Sequence, residues 1–119
     1  MWKILQTNQF GEWFTSSDKV DEDARVSIYA VMEVLKRMGP SLGRPYVDSV
    51  KGSRHENMKE LRVQSKGRPF RIFFAFDPFR QAVLLIGGNK TGDKRFYTRM
   101  IPIADTLYDH YLQDLGERK

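Results

Sequence analysis

Apolar residues recur along the chain with two periods, one typical of helices and one typical of strands. Between Asp21 and Met38 they are spaced three and four positions apart, which predicts an amphipathic helix. Acidic residues open this segment and Lys36-Arg37 close it, as suits the helix dipole, and Gly39-Pro40 predicts its end. A second such stripe predicts a helix over Lys94–Leu115 that restarts or kinks at Pro102.

Between these helices the pattern changes to short alternating runs, which predict a three-stranded meander. The strands are expected at Met58–Gln64, Phe70–Phe76 and Gln81–Ile86, with polar turns between them and Gly87-Gly88-Asn89 ending the third. In the second strand one face carries only Phe and Ile, which we interpret as core, and the other carries Arg71.

The remaining segments complete an α+β pattern. Met1–Thr7 is predicted to be a first strand at a sheet edge, Phe10–Phe14 a short helical turn and Ser41–Asn57 a long loop. The expected fold is therefore an antiparallel sheet with helices packed on one face. A length of 119 residues suits one domain, residues 1–119.

Composition excludes several classes of site. The chain has no cysteine, hence no disulfide and no thiolate metal site. Its two histidines, His55 and His110, argue against a His-rich metal site and against a ribonuclease that uses a histidine pair, and no cofactor is expected. No apolar stretch approaches the roughly 20 residues of a membrane span, and the N-terminus lacks the apolar core of a signal peptide. A cytoplasmic location is expected.

Positive charge is concentrated in the middle of the chain. Residues 51–99 carry twelve Lys and Arg against four Asp and Glu, whereas residues 1–50 carry six against seven. The net charge is +5. Such a basic block favours binding to a polyanion, with an ordinary solvated surface as the alternative.

Four stretches, in this order and spacing, resemble the phage-derived HigB-like branch of the RelE/ParE toxin superfamily. They are Leu42-Gly43-Arg44-Pro45, Lys59-Glu60-Leu61-Arg62, Arg68–Phe76 and Leu84–Thr91, the last followed by Lys94-Arg95-Phe96-Tyr97. The resemblance implies a compact RelE-like fold, neutralisation by a cognate antitoxin that is usually a helix-turn-helix DNA-binding protein, and cleavage of mRNA on the ribosome. Two alternatives stay open: a non-enzymatic inhibitor of DNA gyrase, as in the ParE branch, and a nucleic-acid-binding module without toxicity.

Metal-free RNA cleavage needs three groups. A base takes the proton of a 2′-hydroxyl, positive charge stabilises the phosphorane-like transition state, and an acid protonates the leaving 5′-oxygen. The resemblance implies that Lys, Arg and Tyr fill these roles. The candidate catalytic residues are Arg71, Arg62, Lys90, Lys94 and Tyr97, and the candidate RNA-binding residues are Lys59, Arg68, Arg95 and His55.

Strand pairing refines two of these candidates. Counting back from the Lys66-Gly67 turn places Arg62 opposite Arg71, where two like charges repel unless an anion lies between them. Because Arg71 alternates with core residues, we expect it on the open basic face, where a guanidinium could bind a phosphate with two hydrogen bonds.

The other candidates keep open alternatives. Lys90 and Lys94 suit proton transfer, since positive neighbours favour the neutral amine, but both could equally be solvated. Tyr97 could stack on a base, donate a proton or simply pack on the sheet.

Overall fold

The computed structural model describes residues 1–117, which form one five-stranded sheet with three α-helices. The strand order is β1-β5-β4-β3-β2, and the predicted α+β class is confirmed. The strands are β1 (Lys3–Gln6), β2 (Val47–Ser49), β3 (Lys59–Ser65), β4 (Arg68–Phe76) and β5 (Gln81–Asn89). The helices are α1 (Asn8–Thr15), α2 (Glu22–Met38) and α3 (Phe96–Glu117), with a 3-10 turn at Gly39–Ser41.

The predicted meander forms β3, β4 and β5, with the register that the hairpin turn implied. Arg62 lies opposite Arg71, and Gln64 lies opposite Pro69. The sheet is mixed rather than wholly antiparallel as expected, because β1 pairs in parallel with β5. A parallel partner needs a long crossover, and the helices α1 and α2 between β1 and the meander supply that length. The loop predicted at Ser41–Asn57 also contains the short strand β2, which pairs with β3.

Helix α2 begins and ends almost where its pattern predicts. Asp21 is its N-cap, and its side chain accepts a hydrogen bond from the Ala24 backbone N–H at 3.0 Å. The same carboxylate binds both terminal nitrogens of Arg68 at 2.9 and 3.0 Å. This ion pair joins the start of α2 to the β3–β4 hairpin.

The expectation that all helices lie on one face of the sheet is wrong. Helices α1 and α2 pack on the face that carries Phe70, Ile72 and Phe74, whereas α3 packs on the opposite face, over Phe73 and Ala75. The physical reason is that β4 carries apolar side chains on both of its faces, so both faces must be covered. The predicted core face is nevertheless confirmed, since Phe70, Ile72 and Phe74 are fully buried.

Strand β5 continues through the glycines that were expected to end it, and that expectation is wrong. A side chain at Gly87 would begin 2.3 Å from the Trp13 ring, and one at Gly88 would begin 2.8 Å from the Phe96 ring. The two glycines therefore let rings from α1 and α3 contact the strand backbone on its two faces. The α3 helix starts at Phe96 and runs through Pro102 as one helix.

Candidate active site

Three charged side chains share the α3 face of the sheet near one end. Along β3, Glu60 and Arg62 alternate with the core residues Leu61 and Val63. Because Arg62 is paired with Arg71 across the strands, all three charged residues point to the same side. The first turn of α3 lies over this side, since Phe96 packs against Gly88, the residue paired with Arg71 in β5.

Arg71 lies on the predicted face but is not exposed, so the expectation of an open position is wrong. Its side chain is 5% exposed, because α3 covers this face. One terminal nitrogen donates to the Phe70 carbonyl at 3.0 Å, and Nε lies 3.9 Å from Oε1 of Glu60. Nε is the one buried side-chain polar atom without a hydrogen-bond partner in the described part of the chain. A buried unpaired donor is costly, which marks Arg71 as a candidate for function.

Tyr97, in the first turn of α3, joins Arg71 through Glu60. The Tyr97 hydroxyl donates a hydrogen bond to Oε1 of Glu60 at 2.7 Å. Burial raises the pKa of Tyr97, and the Glu60 carboxylate raises it further, while Arg71 acts in the opposite direction. Tyr97 is therefore a protonated phenol at neutral pH, with its proton directed at a carboxylate.

Lys90 reaches the same cluster from just beyond β5. Its backbone N–H donates to the Pro69 carbonyl at 2.9 Å, which fixes the start of the loop. Its ammonium lies 5.1 Å from the centre of the Tyr97 ring. Phe73 and Phe96 contact the same ring edge to face. With these neighbours around the ring, the hydroxyl is the part of Tyr97 best suited to chemistry.

We call Glu60, Arg62, Arg71, Lys90 and Tyr97 the β3–α3 cluster. Four of them were predicted as catalytic candidates from the sequence, and the fold brings these four together. Glu60 was not singled out. Its signal was present, because it precedes Arg62 by two residues in a predicted strand and so shares its face.

Lys94 and Arg95 are not part of the cluster. Both lie in the exposed turn before α3. The backbone N–H of Arg95 donates to the Asp93 side chain, and this carboxylate also pairs with Arg99 at 2.8 Å. Neither Lys94 nor Arg95 forms a side-chain hydrogen bond or ion pair with the cluster within residues 1–117. The catalytic role predicted for Lys94 and the RNA-binding role predicted for Arg95 stay predictions, and the contacts of these two residues add no support to them.

The other predicted RNA contacts also lie apart. Lys59 has the parity of the core residues and lies on the α2 face of the sheet, opposite Phe74. Arg68 is engaged with Asp21 at the start of α2. His55 contacts Asp109 at 2.7 Å, twelve residues beyond Tyr97 on α3, which corresponds to roughly 18 Å along a helix.

Two other kinds of site are absent from residues 1–117. No group of three or more His, Cys, Asp and Glu side chains is arranged to hold a metal ion. None of the helices described is long and apolar enough to cross a membrane.

A family model described as "Phage derived protein Gp49-like" matches residues 15–109. The chain belongs to this Gp49-like family. It is 47% identical over 110 residues to "Putative toxin HigB3" of Mycobacterium tuberculosis, and the match covers 92% of each chain. It is also 46% identical over 102 residues to "Putative toxin HigB2" of the same organism, covering 84% of this chain. The chain spans about half of the length of HigB2, 51%.

These matches confirm the HigB-like resemblance that the sequence motifs indicated. The Gp49-like region includes β3, β4, β5 and the start of α3, and thus every member of the β3–α3 cluster. The cluster is therefore built within the part of the chain that defines the family.

Proposed function

We propose that this Gp49-like chain is the toxin of a toxin–antitoxin pair and that it cleaves mRNA on the ribosome. The observation that carries the proposal is the β3–α3 cluster, which combines three cations, a phenol and a carboxylate on one face of the sheet. The names of the HigB relatives support the toxin role. Action on translating ribosomes would take place in the cytoplasm.

The cluster offers the charge that phosphodiester cleavage needs. Arg62 is half-buried, and Lys90 lies over the Tyr97 ring, so these two cations are the ones best placed to meet a phosphate. Arg71 contributes its charge from a buried position beside Tyr97, where the low dielectric screens electrostatic interactions less than water does. Such fixed positive groups can stabilise the extra negative charge of the transition state without reorganising.

The proposal predicts that cleavage depends on the charge of this face. We expect Lys90→Met to lower the rate of mRNA cleavage by about 100- to 1,000-fold, the usual effect of removing one preorganised group. Arg37→Ala is the matched control, because Arg37 is exposed at the end of α2 on the other side of the sheet. The assay is cleavage of a defined mRNA by the purified protein, with and without programmed ribosomes.

Three results separate this function from the alternatives. Cleavage only in the presence of ribosomes, lost in Lys90→Met and kept in Arg37→Ala, supports it. Filamentation and DNA damage on induction, with intact mRNA, would indicate gyrase inhibition instead. Normal growth on induction, with intact mRNA, would indicate a binding module without toxicity.

The same function requires a partner that keeps the toxin inactive. We propose an antitoxin that carries acidic residues against the basic face, most simply a helix-turn-helix DNA-binding protein. Purification of the chain from its native host should recover one small protein in stoichiometric amount. Recovery of the chain alone, in active form, would contradict this part of the proposal.

A further inference from the structure

We propose that Tyr97 and Glu60 together form the general base of the cleavage reaction. Tyr97 receives the proton of the 2′-hydroxyl and passes its own phenolic proton to Glu60. This inference rests on the function proposed above and assigns one of its chemical steps to two residues of the β3–α3 cluster.

The hydrogen bond between Tyr97 and Glu60 has a defined direction. A phenol has a single proton, and Tyr97 donates it to Oε1 of Glu60 at 2.7 Å. While that bond exists, Tyr97 has no proton to give to a leaving oxygen. Its own oxygen still has lone pairs that can accept a proton. The geometry therefore favours Tyr97 as an acceptor whose proton moves on to the carboxylate.

Tyr97 is more accessible from the surface than Glu60 is. The Glu60 side chain is 9% exposed, so an RNA hydroxyl cannot readily reach its carboxylate. Tyr97 is half-buried and lines an open cleft of about 360 Å³ with Lys51, Gly52 and Thr98. The phenol thus lies between the surface and the carboxylate, and a proton that travels from substrate to Glu60 has a short route through it.

Several charged side chains surround the Glu60 carboxylate. From β4, Arg71 offers a positive charge 3.9 Å away, with an unused Nε donor, to offset the carboxylate. Arg62 lies on the same face of β3 as Glu60, and Asp48 on β2 lies opposite Glu60 in the sheet. From α3 Tyr97 contacts it directly, with Lys90 over the phenol ring and Lys51 across the cleft.

The proton balance of the step is complete. The 2′-oxygen loses its proton to Tyr97 and bonds to phosphorus, while the bond from phosphorus to the 5′-oxygen breaks. Glu60 takes the phenolic proton and becomes a carboxylic acid. The Lys90 ammonium gives a proton to the 5′-oxygen and regains one from water. The products are a 2′,3′-cyclic phosphate and a 5′-hydroxyl end.

The test is the pH dependence of single-turnover cleavage on programmed ribosomes. In the wild type the rate should rise with pH on the acid side and then level off, as the proton acceptor loses its proton. Glu60→Gln keeps an oxygen that can accept from Tyr97 but cannot take a proton, and should lower the rate about 100- to 10,000-fold and remove the rise. Tyr97→Phe should do the same, and the double variant should lose no more than either alone.

The control is Tyr29→Phe, which removes a hydroxyl from an exposed tyrosine of α2 and should cleave within about twofold of wild type. Thermal unfolding of each variant shows whether it is folded. Should Glu60→Gln unfold, Tyr97→Phe carries the test, since it removes only the hydroxyl. A Glu60→Gln or Tyr97→Phe protein that keeps the wild-type rate and pH profile overturns the relay. If that protein still requires Lys90 for cleavage, the proposed function survives. A wild type that cleaves no mRNA overturns the function itself.

Discussion

Replacing Arg71 with alanine tests whether the buried charges of the β3–α3 cluster hold the sheet and α3 together. Arg71 and Glu60 are both buried, and Nε of Arg71 lies 3.9 Å from the Glu60 carboxylate. Arg71→Ala removes the positive partner and leaves the carboxylate with the Tyr97 hydrogen bond alone. We expect the variant to be less stable than wild type. Removing an arginine from an open, exposed face would instead change the unfolding free energy very little.

The magnitude follows from two opposing effects. Breaking a buried pair by removing one partner usually costs about 3–5 kcal/mol of unfolding free energy, because the other charge is left uncompensated. Part of this is offset, since Nε is already without a partner and such a buried donor costs about 1–3 kcal/mol. The expected net loss is about 1–3 kcal/mol, which for a chain of this size lowers Tm by roughly 4 °C per kcal/mol.

Urea and thermal unfolding would measure this loss beside Arg37→Ala, which removes an exposed arginine from α2 and should change stability by less than about 0.5 kcal/mol. A double-mutant cycle of Glu60→Gln and Arg71→Met isolates the pair, because methionine keeps much of the arginine volume. We expect a coupling of about 0.5–3 kcal/mol, as for other residues in one network. Equal stability of Arg71→Ala and Arg37→Ala, or strict additivity in the cycle, would refute the buried-pair reasoning.

Three further predictions concern packing and pH. Gly87→Ala should lose about 1–3 kcal/mol of unfolding free energy because its Cβ would meet a buried indole at 2.3 Å, whereas Gly43→Ala, with nothing within 4 Å, should be near neutral; urea unfolding compares them. The Arg68 guanidinium lowers the pKa of Asp21 from 3.8 to about 2. The stability that the ionised Asp21 carboxylate contributes is therefore present above pH 3.8 and is lost as the pH falls towards 2. Acid unfolding of Asp21→Asn should show less of this dependence, and an unchanged acid transition would contradict it. The raised pKa of Tyr97 means that the folded state keeps the phenolic proton more tightly than the unfolded state, so this contribution to stability is present below pH 10 and is lost at higher pH. In an ultraviolet titration of the folded protein, Tyr97→Phe should remove a tyrosine that titrates late. Loss of an early-titrating tyrosine instead would contradict the expectation.

Local patterns in the sequence determined the helices, the meander and the cross-strand pairing of two arginines. The three- and four-residue spacing of apolar residues marks α2 within one residue of its observed start. The turn at Lys66-Gly67 sets the register that places Arg62 opposite Arg71. These features depend on neighbours in sequence, so a single chain carries enough information to predict them.

The environment of those residues was decided by tertiary structure. Alternation placed Arg71 on the second face of the sheet but could not show that α3 covers that face, so an expected surface arginine is a buried one. The glycines of β5 resemble a strand end in sequence, yet they lie within the strand because rings of α1 and α3 pack against them. The meeting of Glu60 with Tyr97, 37 positions apart, depends on how α3 docks onto the sheet. Burial and long-range contacts arise from packing between distant segments, which the local pattern does not encode.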